Sequence, residues 1–313
     1  MTLGSDVVGR AEAVLRAACG DRVRTRFVLA PLTTFRIGGP AALFLEPESE
    51  PDLVAVSEAV RQTDIPFAVL GKGSNVLVAD EGFDGLVLRL GRGYRWSARD
   101  GDRLTAGGAM PLPALAGVAL THGLSGLEFG VAIPASLGGA VRMNAGAHGG
   151  SLGDVIENVD VFALADGTAR RVAAGDAGFS YRRSALSADA VVVGATVRLG
   201  SGAPAEIRAR MDDAREWRRR TQPLAEPNCG SVFKNPPGDH AARLIEQAGA
   251  KGRTVGLASV STKHANFIVA SEGATAADVL SLVREVQDLV AERSGVRLEP
   301  EVHLLGDLDL ATR

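Results

Sequence analysis

The feature that most constrains this chain is a run of small residues at positions 126–146, which reads GLEFGVAIPASLGGAVRMNAG. Glycine, alanine and serine stand there where a soluble domain usually places large side chains. Small residues allow backbone N–H groups to approach a ligand closely, and glycine reaches the positive-φ conformations that turn several such groups toward one point. Two interpretations remain open: a surface for a phosphate or planar ring, or a small-residue helix packed closely on a sheet.

Another glycine-rich segment, GKGSN at 71–75, favours the ligand interpretation; it comes earlier in the chain and is called the first glycine-rich loop, and the run at 126–146 is called the second. It lies between two short apolar runs, each of a length typical of a buried strand. Its accessible amides, the Lys72 ammonium, the Ser74 hydroxyl and the Asn75 amide are donors suited to a diphosphate. A Walker loop is not predicted, because Gly73 separates the lysine from the serine and a strand follows. No GxGxxG motif opens a helix after a strand, so a Rossmann site is not predicted either.

Composition limits the class of protein. With 313 residues, of which 46% are hydrophobic and 23% charged, the chain is long enough for about two domains. The net charge of −3 gives no reason to expect nucleic-acid binding. We found neither a secretion signal nor a membrane span in the sequence, which favours the cytoplasm. Cys19 and Cys229 are too few for a disulfide framework or a zinc site, and we expect both to be reduced.

Hydrophobic periodicity predicts the order of elements. Apolar residues at helical spacing between Val7 and Ala18 predict a leading helix, and strands dominate the mixed region that follows. A linker-like composition near residues 200–204 predicts a boundary before a smaller α+β unit. In that unit, Thr275 and Asp278 resemble a capping box that begins a long helix, and Gly295 can end it.

Three candidates for chemistry lie outside the glycine-rich segments. Ser231 follows a glycine in NCGSVFKNP, but no histidine motif announces a partner, so a hydrolase is disfavoured and a proton-donor role or a plain turn remains. Glu301 lies in LEPEVHL, whose alternation predicts an extended segment with its carboxylates on the polar face. That segment is an edge strand or a functional site. Arg182, in FSYRRS, is the third candidate.

Six motifs in order resemble the UDP-N-acetylenolpyruvoylglucosamine reductases, the MurB family of peptidoglycan synthesis. The motifs are TFRIGG at 34–39, GKGSNVL at 71–77, GLEF at 126–129 continuing to MNAG at 143–146, YR at 181–182, GSVFKNP at 230–236 and EPEV at 299–302. Their order and spacing agree over nearly the whole chain. The simple YRRS segment and the short chain resemble the compact type II branch of that family.

The resemblance implies an α+β fold with a two-lobed FAD-binding domain of the vanillyl-alcohol-oxidase (PCMH) type and a smaller α+β substrate-binding domain. The implied boundaries are an N-terminal helix at 1–24, the FAD-binding domain at 25–200 with lobes of about 25–90 and 91–200, and the substrate-binding domain at 204–313. The C-terminal strand of the last domain is expected to return to the active site.

The resemblance also implies non-covalent FAD as cofactor and NADPH as co-substrate. NADPH would reduce the flavin, and a hydride would then pass to the methylene carbon of the enolpyruvyl substrate, giving UDP-N-acetylmuramate for the cell wall. The residues implied to contact FAD are Gly71, Lys72, Gly73, Ser74, Asn75, Ile133, Pro134, Ala135, Ser136, Gly138, Gly139, Asn144, Ala145 and Gly146.

Three catalytic positions match the family pattern. Arg182 would stabilise the carboxylate-enolate, Glu301 would act with it, and Ser231 would deliver the second proton. The residues implied to contact or line the UDP-sugar site are Tyr181, Lys234 and Asn235. The expected partner is a small-molecule UDP-sugar, with no metal, nucleic acid or membrane insertion, and a monomer is expected. Which arginine of the cluster 215–220 faces the substrate is left open.

One departure from the family pattern concerns the flavin. Ala132 and Ala135 stand where the family usually has glycine, and we expect this variation to be tolerated. Two other functions remain in view. A same-fold oxidase of sugars or alcohols often attaches its flavin through histidine, and His148 lies near the second loop. A non-catalytic flavin-binding homologue is disfavoured by the matched serine, arginine and glutamate.

Overall fold

A computed structural model describes residues 5–310 of the chain. Helices and short strands alternate along these residues. The α-helices are α1 Ser5–Cys19, α2 Glu50–Thr63, α3 Leu112–Thr121, α4 Leu137–Arg142, α5 Pro204–Thr221, α6 Ala241–Gln247 and α7 Ala276–Ser294. Short 3-10 turns lie at Gly20–Arg22, Ala30–Leu32, Arg92–Tyr94, Glu128–Ala132 and Leu152–Asp154.

The strands are mostly short. They are β1 Arg24–Val28, β2 Pro40–Leu45, β3 Phe67–Val69, β4 Val76–Val78, β5 Phe83–Leu88, β6 Ser97–Asp100, β7 Arg103–Gly107, β8 Leu124–Ser125, β9 Gly146–Ala147, β10 Gly150–Ser151, β11 Ile156–Ala163, β12 Thr168–Ala173, β13 Ala190–Arg198, β14 Gly200–Ser201, β15 Thr254–Val255, β16 Ala258–Val260, β17 Ile268–Ala270 and β18 His303–Leu305.

The ends of α7 show why the sequence forms a helix there. The Thr275 hydroxyl accepts a hydrogen bond from the Asp278 amide, and the Asp278 carboxylate accepts one from the Thr275 amide, each at 3.1 Å. Gly295, at φ 70°, adopts the left-handed conformation that closes the helix. The predicted capping box and stop are confirmed. The predicted leading helix is confirmed as α1, and residues 1–4 lie outside the described part.

Two larger sheets form most of the strand pairing. An antiparallel sheet has the order β12-β11-β13-β7-β6, and a second sheet has the order β1-β2-β5-β3 with β3 and β5 parallel. A smaller sheet joins β15, β16 and β17. Strand β18 pairs in parallel with β4, with His303 opposite Val76. The C-terminal segment therefore runs beside the strand that follows the first glycine-rich loop.

The predicted extended segment around Glu301 is correct in its alternation but not in its length. Leu298 and Val302 are buried, while Glu299 and His303 are exposed. Regular pairing begins only at His303, and Pro300 takes part in an isolated antiparallel bridge with Phe233. Proline has no N–H to donate to a continuing ladder, which explains why the strand starts late.

The chain divides into two compact units. Among the described residues, the first contains those up to Thr25, Leu43–Lys72 and Gly85–Arg218, and the second contains Arg26–Ala42, Gly73–Asp84 and those from Arg219 onward. The first unit has two apolar clusters, and the second has one cluster built around α7. The functional domains expected at 25–200 and 204–313 stay a prediction. Among the described residues, no helix combines the length and apolar character needed to cross a bilayer.

Candidate active site

The first unit contains a cavity of about 230 Å³. We call the small lining residues, which come from several separate segments, its floor and the charged lining residues its rim. The lining residues are Glu46, Val69, Leu70, Gly71, Lys72, Arg89, Leu90, Gly91, Arg92, Arg95, Gly108, Ala109, Ser136, Gly138, Gly139, Arg142, Ala190 and Val192. Both glycine-rich segments therefore contribute to one cavity.

Helix α4 brings the second segment to the cavity. Ser136 caps the helix by accepting a hydrogen bond from the Gly139 amide at 3.4 Å. The Gly138 amide donates to the Gly108 carbonyl at 2.9 Å, which fixes the first turn of α4 against the end of β7. A Cβ atom at position 138 would lie 2.9 Å from the Val192 carbonyl oxygen, closer than ordinary contact. This position requires glycine because the neighbouring backbone leaves no space for a side chain.

The first glycine-rich loop meets the same helix. A Cβ atom at Gly71 would lie 2.6 Å from the Ser136 hydroxyl oxygen, so this position too is restricted by close approach. The division between the two units falls directly after Lys72. Gly71 and Lys72 line the cavity of the first unit, whereas Gly73, Ser74 and Asn75 belong to the second unit.

The charges around the cavity favour an anion. Five cationic side chains and a single carboxylate line it, namely Lys72, Arg89, Arg92, Arg95, Arg142 and Glu46. Burial lowers the pKa of the Lys72 ammonium, and the neighbouring Arg89 and Arg95 lower it further. A diphosphate would reduce the repulsion among these cations, and the glycine floor allows a bulky dinucleotide to lie close to the backbone. This donor set fits FAD.

Other residues expected near FAD are placed differently. Ile133, Ala135 and Ala145 pack against the larger apolar cluster of the first unit, and Gly146 forms a two-residue strand pair with Ser151. Ile133, Pro134, Ala135, Ala145 and Gly146 are not among the lining residues of the described cavity. Neither Ala132 nor Ala135 is among the described non-glycine residues with positive φ. Alanine at these positions therefore brings no left-handed strain.

Asn144 supports the turn that carries Tyr181 and Arg182. It is 8% exposed, its amide donates to the Ser180 carbonyl at 2.9 Å, and its Oδ1 accepts from the Gly153 amide at 2.7 Å. The turn is closed by two backbone hydrogen bonds between Ser180 and Arg183, at 2.9 and 3.1 Å. Arg182 has φ 56°, an uncommon conformation for a residue other than glycine. Its guanidinium carbon lies 5.0 Å from the centre of the Tyr181 ring.

Arg142, at the end of α4, holds the chain beyond this turn. Its guanidinium donates to the carbonyls of Leu186 and Ser187, each at 2.8 Å, and also to that of Ala190. The Arg142 carbonyl accepts from the Ser184 hydroxyl at 2.8 Å. Burial lowers the pKa of the guanidinium. Within the first unit, the same short helix thus lines the cavity and supports the segment that follows Arg182.

The second unit brings Asn75, Ser231 and Glu301 together. The Glu301 amide donates to the carbonyl of Val232, next to Ser231, at 2.7 Å. The Asn75 side chain donates to the Glu301 carbonyl at 3.1 Å, and the Asn75 carbonyl accepts from the His303 amide at 3.1 Å. The last residue of the first glycine-rich loop therefore holds the backbone of the predicted catalytic glutamate.

Lys234 and Asn235 follow on the same segment. The Lys234 amide donates to the Glu299 carbonyl at 2.9 Å, and its ammonium forms an ion pair with the Glu299 carboxylate. The Asn235 side-chain oxygen accepts from the Ala241 amide at 3.0 Å, at the start of α6. Both residues thus have local partners within the second unit, and their contact with a UDP-sugar stays a prediction.

Cys229 precedes this segment as a buried thiol. Burial raises its pKa, and the negative charge of Glu301 raises it further. The thiol therefore stays protonated at neutral pH, which is a poor state for a nucleophile.

Sequence reasoning missed the arginines on the cavity rim. Arg89, Arg92 and Arg95 lie at intervals of three residues directly after β5, and all three line the cavity. Three arginines within seven residues after a strand would have been a usable signal for an anion site.

Two family models match the chain. The model described as the FAD binding domain matches residues 41–173, and the model described as the C-terminal domain of UDP-N-acetylenolpyruvoylglucosamine reductase matches residues 222–305. A protein of Heliobacterium modesticaldum named UDP-N-acetylenolpyruvoylglucosamine reductase is 48% identical over 277 residues, which cover 88% of each chain. One of the same name from an Anaeromyxobacter species is 46% identical over 96% of this chain and 95% of its own length. This chain belongs to the UDP-N-acetylenolpyruvoylglucosamine reductase family.

A solved structure supports the family assignment. The reductase of Thermus caldophilus, titled MurB, superposes with a TM-score of 0.80 at 39% identity and covers 91% of this chain and 99% of that one. The expected fold class, an FAD-binding domain of the vanillyl-alcohol-oxidase type with a smaller α+β domain, is confirmed. The chain is an FAD-dependent oxidoreductase of this reductase family, and FAD is its cofactor.

Proposed function

We propose that this chain reduces UDP-N-acetylglucosamine enolpyruvate to UDP-N-acetylmuramate for peptidoglycan synthesis, with NADPH as electron donor. Family membership over nearly the full length supports the reaction class. The observation that carries the assignment to particular residues is local. Within residues 5–310, the Ser231 hydroxyl has no hydrogen-bond partner, although the backbone beside it is held tightly.

The reaction requires a proton at a carbon atom. FAD held in the cavity of the first unit would supply a hydride for the methylene carbon of the enolpyruvyl group, and negative charge would then develop on the adjacent carbon and its carboxylate. Ser231 donates its hydroxyl proton to that carbon. Its hydroxyl is available because no protein acceptor in the described part of the chain competes for it.

The remaining charge needs stabilisation. The Arg182 guanidinium binds the substrate carboxylate through paired N–H donors as it takes on enolate character. The φ of 56° at Arg182 and the Asn144 support of its turn are the kind of local constraint that fixes a functional side chain. Glu301 acts with the arginine on the same intermediate, and Lys234 and Asn235 bind the UDP-sugar.

The cavity of the first unit is proposed to hold FAD. Gly71, Gly138 and Gly139 provide close backbone approach, and Lys72 together with the rim arginines provides the positive charge for the diphosphate. We also propose that the protein works as a monomer in the cytoplasm, where UDP-sugars and NADPH are available. Light scattering of the purified protein tests whether it is a monomer.

An anaerobic titration tests the function. The protein with FAD bound should lose its visible flavin absorbance on addition of NADPH and regain it on addition of the enolpyruvyl substrate, one equivalent per flavin. UDP-N-acetylmuramate should appear in the same amount. Loss of the absorbance on addition of a simple sugar and rapid recovery with oxygen, without recovery by the enolpyruvyl substrate, would instead identify a same-fold oxidase.

A further inference from the structure

Asn266 is a buried amide that the reaction described above does not use. It is 4% exposed and lies two residues before β17. Its Oδ1 accepts a hydrogen bond from the Phe233 amide at 2.9 Å, and its Nδ2 donates to the Phe233 carbonyl at 2.8 Å. The Asn266 backbone carbonyl accepts from the Val232 amide at 2.9 Å. One residue therefore makes three hydrogen bonds to two consecutive residues that directly follow Ser231.

The contacts of the Asn266 side chain with Phe233 take the place of pairing with a neighbouring strand. The two hydrogen bonds between an amide side chain and one backbone residue imitate the exchange between paired residues of an antiparallel ladder. Phe233 is itself 2% exposed, so its N–H and C=O would have no access to water if the asparagine were absent. The segment is held in place because Asn266 supplies partners for both backbone polar groups of Phe233 and for the Val232 amide.

The other edge of the same segment faces Glu301. The Val232 carbonyl accepts from the Glu301 amide at 2.7 Å, and the Lys234 amide donates to the Glu299 carbonyl at 2.9 Å. Asn266 thus lies on one side of the segment and the Glu299–Glu301 stretch on the other. A shift of the segment would change the position of Ser231 relative to Glu301.

The chain before Ser231 is constrained separately. Gly230 has φ 79°, and its amide donates to the Asn228 side-chain oxygen at 2.9 Å. Ser231 is therefore fixed by a turn on its N-terminal side and by Asn266 on its C-terminal side. The hydroxyl itself is left out of this network.

We propose that Asn266 is a positioning residue for the protonation step, acting through Ser231. This inference rests on the proposed role of Ser231 as proton donor. A displacement of about 1 Å can cost about 100-fold in rate when a reacting group must be in line with its target. Asn266 does not contact substrate in this account. Its loss should slow only the half-reaction in which the serine gives up its proton.

Asn266→Asp is the sharpest variant. It has nearly the same shape and keeps the acceptor for the Phe233 amide, but it replaces the donor with an oxygen that faces the Phe233 carbonyl. Asn266→Ser is a second variant that keeps a small hydrogen-bonding group if the aspartate variant fails to fold. Ser57→Ala is the matched control, because Ser57 is 1% exposed and its hydroxyl donates to the Leu164 carbonyl at 2.7 Å in the first unit.

The two half-reactions are measured separately by stopped-flow absorbance under anaerobic conditions, together with FAD affinity and melting temperature. For the Asn266 variants we expect flavin reduction by NADPH within about threefold of wild type and reoxidation by the enolpyruvyl substrate slowed about 100-fold. FAD affinity should be unchanged. Ser57→Ala should lower the melting temperature without separating the two half-reactions.

A double-variant cycle decides whether the effect passes through the serine. Adding either Asn266 variant to Ser231→Ala should slow reoxidation by no more than about threefold beyond Ser231→Ala alone. The inference would be overturned, with the serine role intact, if the double variant slowed reoxidation by the product of the two single effects. Equal slowing of both half-reactions in the Asn266 variants would overturn it in the same way. Wild-type reoxidation in Ser231→Ala alone would overturn the proposed serine role, and the inference with it.

Discussion

The cavity of the first unit and the Ser231–Glu301 region of the second unit depend on different kinds of residue and contact. The cavity has glycines on its floor and five cations against one carboxylate around it. The Ser231–Glu301 region is instead defined by hydrogen bonds between buried or half-buried asparagine side chains and backbone groups. The cavity thus depends on open space and positive charge, whereas the Ser231–Glu301 region depends on the exact position of its backbone.

This difference separates two kinds of sensitivity. A cofactor that is bound by many contacts tolerates a small displacement of any one of them, but it does not tolerate loss of the space it occupies. A proton donor that acts at one atom tolerates little displacement. We therefore expect changes in the cavity to alter FAD affinity and changes near Ser231 to alter rate with FAD retained.

The largest effect on FAD affinity is expected from Gly138→Val. The added side chain would overlap the Val192 carbonyl, which lies 2.9 Å from a Cβ at this position, and backbone atoms cannot move aside cheaply. FAD affinity should fall about 100-fold, which corresponds to about 3 kcal/mol. Flavin fluorescence titration measures it. Unchanged affinity would show that the helix α4 floor does not contact the cofactor.

The next effect lies outside both regions. Asp52, which is 6% exposed, accepts two hydrogen bonds from the Arg22 guanidinium and one from the Glu48 amide at 2.8 Å. Asp52→Ala should lower the free energy of unfolding by about 2 kcal/mol, because it removes a helix-capping residue and a charged pair. FAD affinity and rates per folded molecule should stay at wild-type values. Denaturant unfolding and the two half-reactions measure these quantities.

The same carboxylate predicts a dependence of stability on pH. Its hydrogen bonds with Arg22 lower the pKa of Asp52 below the ordinary 3.8. The charged form stabilises the folded state above that ordinary value, and the contribution is lost as pH falls from about 4 through the lowered pKa. Wild type should therefore lose more stability than Asp52→Ala in that window. Parallel pH curves for the two proteins would contradict this cause.

A smaller effect is expected from Lys72→Gln. Removing one charged donor should weaken FAD binding about tenfold, or about 1.4 kcal/mol, since four other cations remain. Because burial and two arginines lower the pKa of this lysine, wild-type FAD affinity should fall at alkaline pH, before a normal lysine titrates. The variant should lack this fall. Arg208→Gln, at an exposed position on α5, is the charge-matched control.

The smallest expected effect is an increase in stability. Gly117 lies inside α3, and a Cβ atom there meets nothing within 4 Å. Gly117→Ala should raise the free energy of unfolding by about 0.5–1 kcal/mol, since glycine is unfavourable inside a helix. FAD affinity should not change. Comparison with Gly138→Val shows whether a glycine is needed for FAD binding only where a side chain would fill the cavity lining.

Elements with a local signal were predictable from the sequence. The leading helix α1 follows from its apolar spacing, and the caps of α7 are readable from Thr275, Asp278 and Gly295. Strand β12 has no such signal, because TARRVA is almost entirely exposed and carries no apolar run. An edge strand with a polar sequence has the composition of a loop.

Long-range contacts in the candidate site were not predictable in the same way. The parallel pairing of β4 with β18 joins Val76 to His303, and no residue type near either one indicates the partner. The role of Asn266 depends on where Phe233 lies, which the sequence between them does not specify. The glycine-rich loops and the candidates Ser231, Glu301 and Arg182 were visible in the sequence itself, whereas their assignment to one reaction came from the family resemblance.

The most direct test of the separation between cofactor binding and protonation is Ser231→Ala, measured for FAD affinity and for anaerobic reoxidation by the enolpyruvyl substrate. We predict FAD affinity and NADPH-driven flavin reduction equal to wild type, with reoxidation slowed about 100- to 10,000-fold. Reoxidation at the wild-type rate, or loss of FAD from the variant, would contradict the account.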